Sequence, residues 1–137
     1  MKRTASAHWE GDLKAGKGSL STQSTTLNKT QYSYNTRFAD GIGTNPEELL
    51  AAAHAGCFTM AVSLILGQAG FTATSLDTLA SVNMEGLVIT NVHLSIKGQV
   101  PNISQQQFLE ITKGAEKNCI ISKALSIPIT SDAVLIG

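Results

Sequence analysis

The stretch Asn45 to Gly67, NPEELLAAAHAGCFTMAVSLILG, constrains this chain more than any other. Asn45 has the chemistry of a helix N-cap, Pro46 suits the first helical position, and Glu48 completes the capping-box spacing N-x-x-E. Glu47 lies in the same first turn, where a carboxylate complements the helix dipole. Gly67 to Gly70 supply the expected stop. From Leu49 to Leu66 there is no Asp, Glu, Lys or Arg, a length at the border of a membrane span. His54, Gly56, Thr59, Ser63 and several alanines weaken that reading, and no aromatic belt or flanking lysines mark a membrane border. The stretch is therefore expected to be a helix buried on all sides in a soluble protein. Cys57 sits inside it. A thiol there is either core packing or the centre of the chemistry.

A length of 137 residues suits one domain, 1–137, with a core large enough to need no disulfide. Ten basic and ten acidic residues cancel, and no basic stripe points to nucleic acid. The start, MKRTASAHWEGD, has no apolar run behind its basic residues and does not read as a secretory signal. A reducing cytosol then disfavours a structural disulfide. Cys57 and Cys119 are too far apart for a C-x-x-C motif, and His8, His54 and His93 are not spaced as ligands, so no metal site is expected.

Residues 4–12 and 16–24 read as a β-hairpin around LKAGKG, with Trp9 packing one face and His8 in solvent on the other. QYSYNTRF, Gln31 to Phe38, is aromatic enough for a third strand, with Arg37 at its end before the glycine-rich ADGIGT. Two further strands, 74–85 and 87–99, flank MEG. In the second, Val88, Thr90, Val92, Leu94 and Ile96 share one face, while His93 lies on the polar, solvent side. Ser104 and Gln107 open a second helix with an inner stripe of Phe108, Ile111, Thr112 and Ala115, closing at Asn118. CIISKAL reads as a short helix capped by Asn118, with Cys119 in its first turn. A last strand, Ile127 to Leu135, carries Pro128 and suits a sheet edge. Strands grouped in blocks predict an antiparallel α+β domain.

Cys57, Cys119, Arg37 and Glu47 together are the parts a thiol peroxidase needs. Thiolate is the nucleophile toward a peroxide O–O bond. A guanidinium beside it favours that form and stabilises charge on the leaving alkoxide. A carboxylate fixes the guanidinium through a bidentate pair. The sulfenic acid that results must be trapped by a second thiol before further oxidation.

TRFADGIGTNPEELLAAAHAGCFTMAVSLIL, with AHWEGDLKAGKGSLST before it and NCIISKAL after it, resembles the OsmC/Ohr family over nearly the whole chain, and within it the OsmC branch of osmotically inducible peroxiredoxin-like proteins. The resemblance implies an α+β OsmC-like fold, with antiparallel sheets around a long buried central helix in an intertwined homodimer. It implies a cytoplasmic enzyme that reduces organic hydroperoxides in defence against oxidative stress, without a cofactor. By the same resemblance, Cys57 in Ala55-Gly56-Cys57-Phe58 is the peroxidatic cysteine and Cys119 the resolving one, joined to Cys57 as a disulfide during turnover. Arg37 of NTRF matches the arginine beside the reactive sulfur, and Glu47 matches the acid that holds it. The reductant implied is a dithiol, such as a lipoyl-bearing protein. Ile120 stands where the family has proline after the resolving cysteine, which would loosen Cys119 or change its exposure. That departure keeps open a second reading, an OsmC-like redox-sensing or binding protein with little turnover.

Helix geometry adds one constraint. Ten residues separate Glu47 from Cys57, about 15 Å along a continuous axis. Either the helix breaks near Ala51–Ala53, or Glu47 serves the site of the other protomer, the arrangement expected here. His54, three residues before Cys57, is expected to be packing. Phe38, Ile42, Phe58 and Met60 are expected to line an apolar entrance, favouring alkyl or fatty-acid hydroperoxides over hydrogen peroxide.

Overall fold

The computed structural model describes residues 1–137, and the chain divides into two compact units, Met1–Leu49 and Leu50–Gly137.

In the first unit, β1 (Ala5–Glu10) and β2 (Lys17–Thr22) form the expected hairpin, and β3 (Thr30–Tyr32) adds to it in an antiparallel sheet of order β1-β2-β3. Trp9 and Tyr32 meet edge to face at 5.5 Å between ring centroids. Gly18 lies between them in register, and a Cβ there would come within 2.5 Å of both rings, so the stacking requires glycine. His8 is exposed as expected and approaches Glu10.

The strand expected over Gln31 to Phe38 is only half correct. It ends at Tyr32, and Tyr34–Phe38 is a short helix, α1. Ser33 overrides the aromatic composition: its Oγ accepts from the Thr36 N–H, and Thr36 Oγ1 accepts from the Ser33 N–H at 2.9 Å, a reciprocal cap. Asn45 then links this turn to the next helix. Its Nδ2 donates to the Thr36 carbonyl at 2.9 Å, while its Oδ1 accepts from the Glu48 N–H at 2.7 Å, the expected cap.

That next helix, α2, runs unbroken over Pro46–Gln68, so the alternative of a break near Ala51–Ala53 is excluded. It stops as expected, with Gly70 in the left-handed region (φ 88°) and the Phe71 N–H donating to the Leu66 carbonyl. Within the second unit it buries His54, Phe58, Val62 and Leu66, one residue per turn on a single stripe. Each fully buried apolar side chain of this kind contributes about 1.5–3 kcal/mol. Within the single chain, burial is confined to that stripe. Ala52, Gly56, Met60, Ser63 and Leu64 lie on the opposite face and are exposed in the single chain. α2 is long and apolar enough to cross a membrane by length and composition, yet its stripe packs into the protein's own core.

β4 (Ser75–Glu85) and β5 (Val88–Gln99) pair antiparallel around a turn at Gly86. Val92, Leu94 and Ile96 point into the core as the alternation predicts. His93 is on the outward face, with its ring nitrogens against Thr130 and Asp132. α3 (Gln105–Asn118) is capped by Ser104 and Gln107 as expected, and buries Phe108, Thr112 and Ala115. α4 (Ile120–Ala124) follows, and β6 (Ile129–Leu135) completes a sheet of order β4-β5-β6. β6 lies at the edge, just after Pro128, but runs parallel to β5, so the sheet is mixed rather than antiparallel. Two helices intervene between β5 and β6, and that crossover returns the chain in the same direction.

Candidate active site

Arg37 ends α1 and Glu47 begins α2, and the turn held by Asn45 brings them together. Arg37 Nε donates to both carboxylate oxygens of Glu47, at 3.0 and 3.2 Å, and Nη2 donates to Oε1. The pair joins two residues of one chain. Glu47 thus holds Arg37 within the single chain, across the turn between α1 and α2. Burial pushes the Glu47 carboxyl up, but the Arg37 hydrogen bonds, its own backbone N–H and the guanidinium charge outweigh this, and its pKa falls below the usual value. The same hydrogen bonds raise the already high pKa of Arg37 against the opposing effect of burial.

A cleft of about 240 Å³ opens beside Arg37, lined by Trp9, Leu13, Tyr32, Ser33, Tyr34 and Phe38. The guanidinium lies 4.9 Å from the Phe38 ring centroid. Of the four apolar residues expected at an entrance, Phe38 is here. Phe58 is a core residue with no exposed surface, and Ile42 and Met60 are exposed without belonging to this cleft. Trp9, Tyr32 and Tyr34 were not anticipated as cleft residues. Their signal was the aromatic clustering of QYSY and the lone tryptophan two strands away.

In the second unit both cysteines are free thiols. Cys57 is half-buried, at the margin between the buried stripe of α2 and its exposed face, and packs against the core cluster. Cys119 belongs to that same cluster and is 2% exposed. Asn118 was the expected cap of the short helix, but it remains the last residue of α3, and Cys119 itself takes the cap position. The Ser122 N–H donates to Cys119 Sγ at 3.3 Å, and the Cys119 thiol donates to Ser122 Oγ at 3.1 Å. Ile120, in place of the family proline, is the first residue of α4 and points outward, 73% exposed. The cap forms without the proline.

Sequence reasoning missed Ser122 and took His54 for packing. His54 is fully buried, and its Nε2 lies 2.7 Å from Ser122 Oγ. No local spacing could reveal this, since the two residues come from helices far apart in sequence.

The model describing OsmC-like proteins matches residues 39–132. The chain is 48% identical over 136 residues to peroxiredoxin OsmC of Escherichia coli (strain K12), covering 96% of this chain and 95% of that protein. The peroxiredoxin OsmC of Shigella flexneri matches to the same extent. Among solved structures, an OsmC-like protein of unknown function from Vibrio cholerae superposes with a TM-score of 0.73 at 15% identity, over 98% of this chain and 99% of that one. The organic hydroperoxide resistance protein OhrB of Bacillus subtilis gives 0.68 at 22% identity, over 97% and 98%.

Proposed function

The chain belongs to the OsmC-like protein family, and from that premise we propose that it reduces organic hydroperoxides to alcohols, with Cys57 attacking and Cys119 resolving. The observation that carries the reading is that two free thiols share one hydrophobic cluster: Cys57 is left partly open, and Cys119 is enclosed with its sulfur already hydrogen-bonded. Cys57 thiolate attacks the peroxide, the O–O bond breaks, and the alkoxide leaves as alcohol after taking a proton. The Cys57 sulfenic acid is then attacked by Cys119, which forms the S–S bond and releases water. A dithiol, such as a lipoyl-bearing protein, reduces the disulfide and is itself oxidised.

Arg37 activates the Cys57 thiolate and stabilises the leaving oxygen, and Glu47 holds the guanidinium in place. Because α2 is continuous, Glu47 and Cys57 lie about 15 Å apart along its axis. We place the Arg37–Glu47 pair of one protomer at the Cys57 of its partner in a homodimer. The exposed apolar face of α2, with Met60 at 75% and Leu64 at 63% exposure, supports such an interface. A stable monomer with undiminished turnover would contradict it. The aromatic cleft beside Arg37 favours alkyl or fatty-acid hydroperoxides over hydrogen peroxide. Residues 1–137 act as a single OsmC-like domain, in the cytoplasm.

The redox-sensing alternative rested on Ile120, and Cys119 keeps its capping geometry with isoleucine there. Turnover is therefore the better reading. Its test is trapping: in Cys119→Ser, organic peroxide should leave Cys57 as a sulfenic acid that a dimedone reagent labels. Labelling that persists in Cys57→Ser would overturn it.

A further inference from the structure

His54 is the buried polar group that this mechanism does not use. It has no exposed surface, and its Nδ1 finds no hydrogen-bond partner, an arrangement an apolar side chain would avoid. Its other nitrogen is aimed. Nε2 meets Ser122 Oγ at 2.7 Å, and Ser122 Oγ accepts from the Cys119 thiol at 3.1 Å. The three atoms form an unbroken chain from a sulfur to an imidazole, at residues that are buried with a small opening at Ser122.

We propose that Ser122 and His54 are a proton relay for Cys119, receiving the thiol proton as Cys119 attacks the Cys57 sulfenic acid. The inference rests on the peroxidase reading and assigns its second step. Before the attack, the Cys119 S–H donates to Ser122 Oγ and the Ser122 O–H donates to His54 Nε2, with the ring proton on Nδ1. A shift of two protons along the chain gives the other state: the sulfur accepts from both the O–H and the N–H of Ser122, and His54 Nε2–H donates to Oγ. Every link stays hydrogen-bonded in both states. The Cys119 sulfur then forms the S–S bond while the S–O bond of Cys57 breaks. Hydroxide leaves and takes a proton from water, and the imidazolium returns its own to solvent, so no net proton is gained or lost. Burial holds the His54 pKa below its usual value, so the ring is neutral and ready to accept near pH 7, and it releases the proton readily afterwards.

The scaffold fixes each member. Ser122 stands three residues into the turn that Cys119 caps, which sets the sulfur-to-hydroxyl distance. His54 lies one helical turn before Phe58 on the buried stripe, which leaves the ring little freedom. Ser122 touches the reacting sulfur, whereas His54 acts through it as a positioning and proton-accepting residue.

The experiment mixes reduced protein with stoichiometric cumene hydroperoxide and follows two steps separately. Dimedone labelling reads Cys57 oxidation, and the mass of acid-quenched samples reads disulfide formation. Ser122→Ala and His54→Gln should slow disulfide formation tenfold or more while Cys57 oxidation stays within about twofold. Ser122→Thr, which keeps the hydroxyl, should recover most of the rate. In the unaltered protein the disulfide step should slow about twofold in D2O, an effect that His54→Gln abolishes. Unchanged disulfide rates in the variants, a parallel loss in both steps, or no solvent isotope effect in the unaltered protein would overturn the relay. If the peroxide leaves Cys57 unoxidised in the unaltered protein, the peroxidase reading falls and takes the relay with it; oxidation followed by indifferent disulfide formation removes the relay alone.

Discussion

Replacing Glu47 by alanine removes the acceptor of every Arg37 hydrogen bond and leaves the guanidinium without an ion-pair partner at the end of α1. Hydrogen bonds to a charged group contribute about 1.5–3 kcal/mol where both partners are shielded. Here the Arg37 side chain is 37% exposed against 11% for Glu47, so solvent screens one half of the pair and the lower end applies. Losing a carboxylate from the first turn of α2 removes roughly a further 0.3–1 kcal/mol of dipole interaction. The sum is about 2 kcal/mol, which for a chain of this size lowers Tm by about 7 °C. The effect must also depend on pH in one direction. The Glu47 pKa is below its ordinary value of 4.5 in the folded state, so between the two values the unfolded chain binds the proton first and stability rises with pH. The stabilisation is complete at pH 7 and is lost as pH falls through the folded value. Thermal melts of the parent protein and Glu47→Ala, followed by circular dichroism from pH 7 to pH 3, should show the gap close in acid. A gap under about 1 °C at pH 7, or one that stays constant into acid, would refute the reasoning about this pair.

Three further outcomes follow from the same geometry. Ile120→Pro should be tolerated and should raise stability by about 0.4–1 kcal/mol, because Cys119 already has φ −64° and ψ 145°, the conformation a residue before proline prefers; a lowered Tm would contradict this. Phe58→Ala should cost about 3–5 kcal/mol in chemical denaturation, since the ring is fully buried in the cluster that holds both cysteines; a loss under 1 kcal/mol would show that the core is loose there. His54 should contribute an acid limb to stability: its folded pKa is depressed by burial, so below the unfolded value of 6.5 the unfolded chain takes up the proton and stability falls. His54→Gln should flatten that limb, and an unchanged pH dependence would mean that the ring is protonated in place.

The helix around Cys57 was legible because its determinants are local. Asn45, Pro46 and Glu48 mark the start, and the glycines mark the stop. The alternation along β5 showed its buried face for the same reason. Local chemistry also misled. QYSYNTRF has strand composition, yet Ser33 and Thr36 cap each other and turn its second half into α1, the turn that presents Arg37 to Glu47. A threonine at the third helical position is a weaker signal than the glutamate or glutamine of the usual box. The parallel β6 has no local signal, because two helices between strands give the same sequence pattern in a block as in a crossover. The contact of His54 with Ser122 was invisible to any spacing rule, since it depends on α4 folding back against the buried stripe of α2. The roles proposed for the cysteines rest on the family resemblance, and the structure adds the contacts around Cys119.

The most direct test of the account is thiol counting on the reduced protein after one equivalent of peroxide. With cumene hydroperoxide, both thiols should disappear rapidly, the chain mass should fall by two hydrogens, and the disulfide should join Cys57 to Cys119 within one chain. Hydrogen peroxide should give the same product more slowly, and Cys57→Ser should give none. Slow oxidation indifferent to the peroxide, or thiol loss that survives Cys57→Ser, would contradict it.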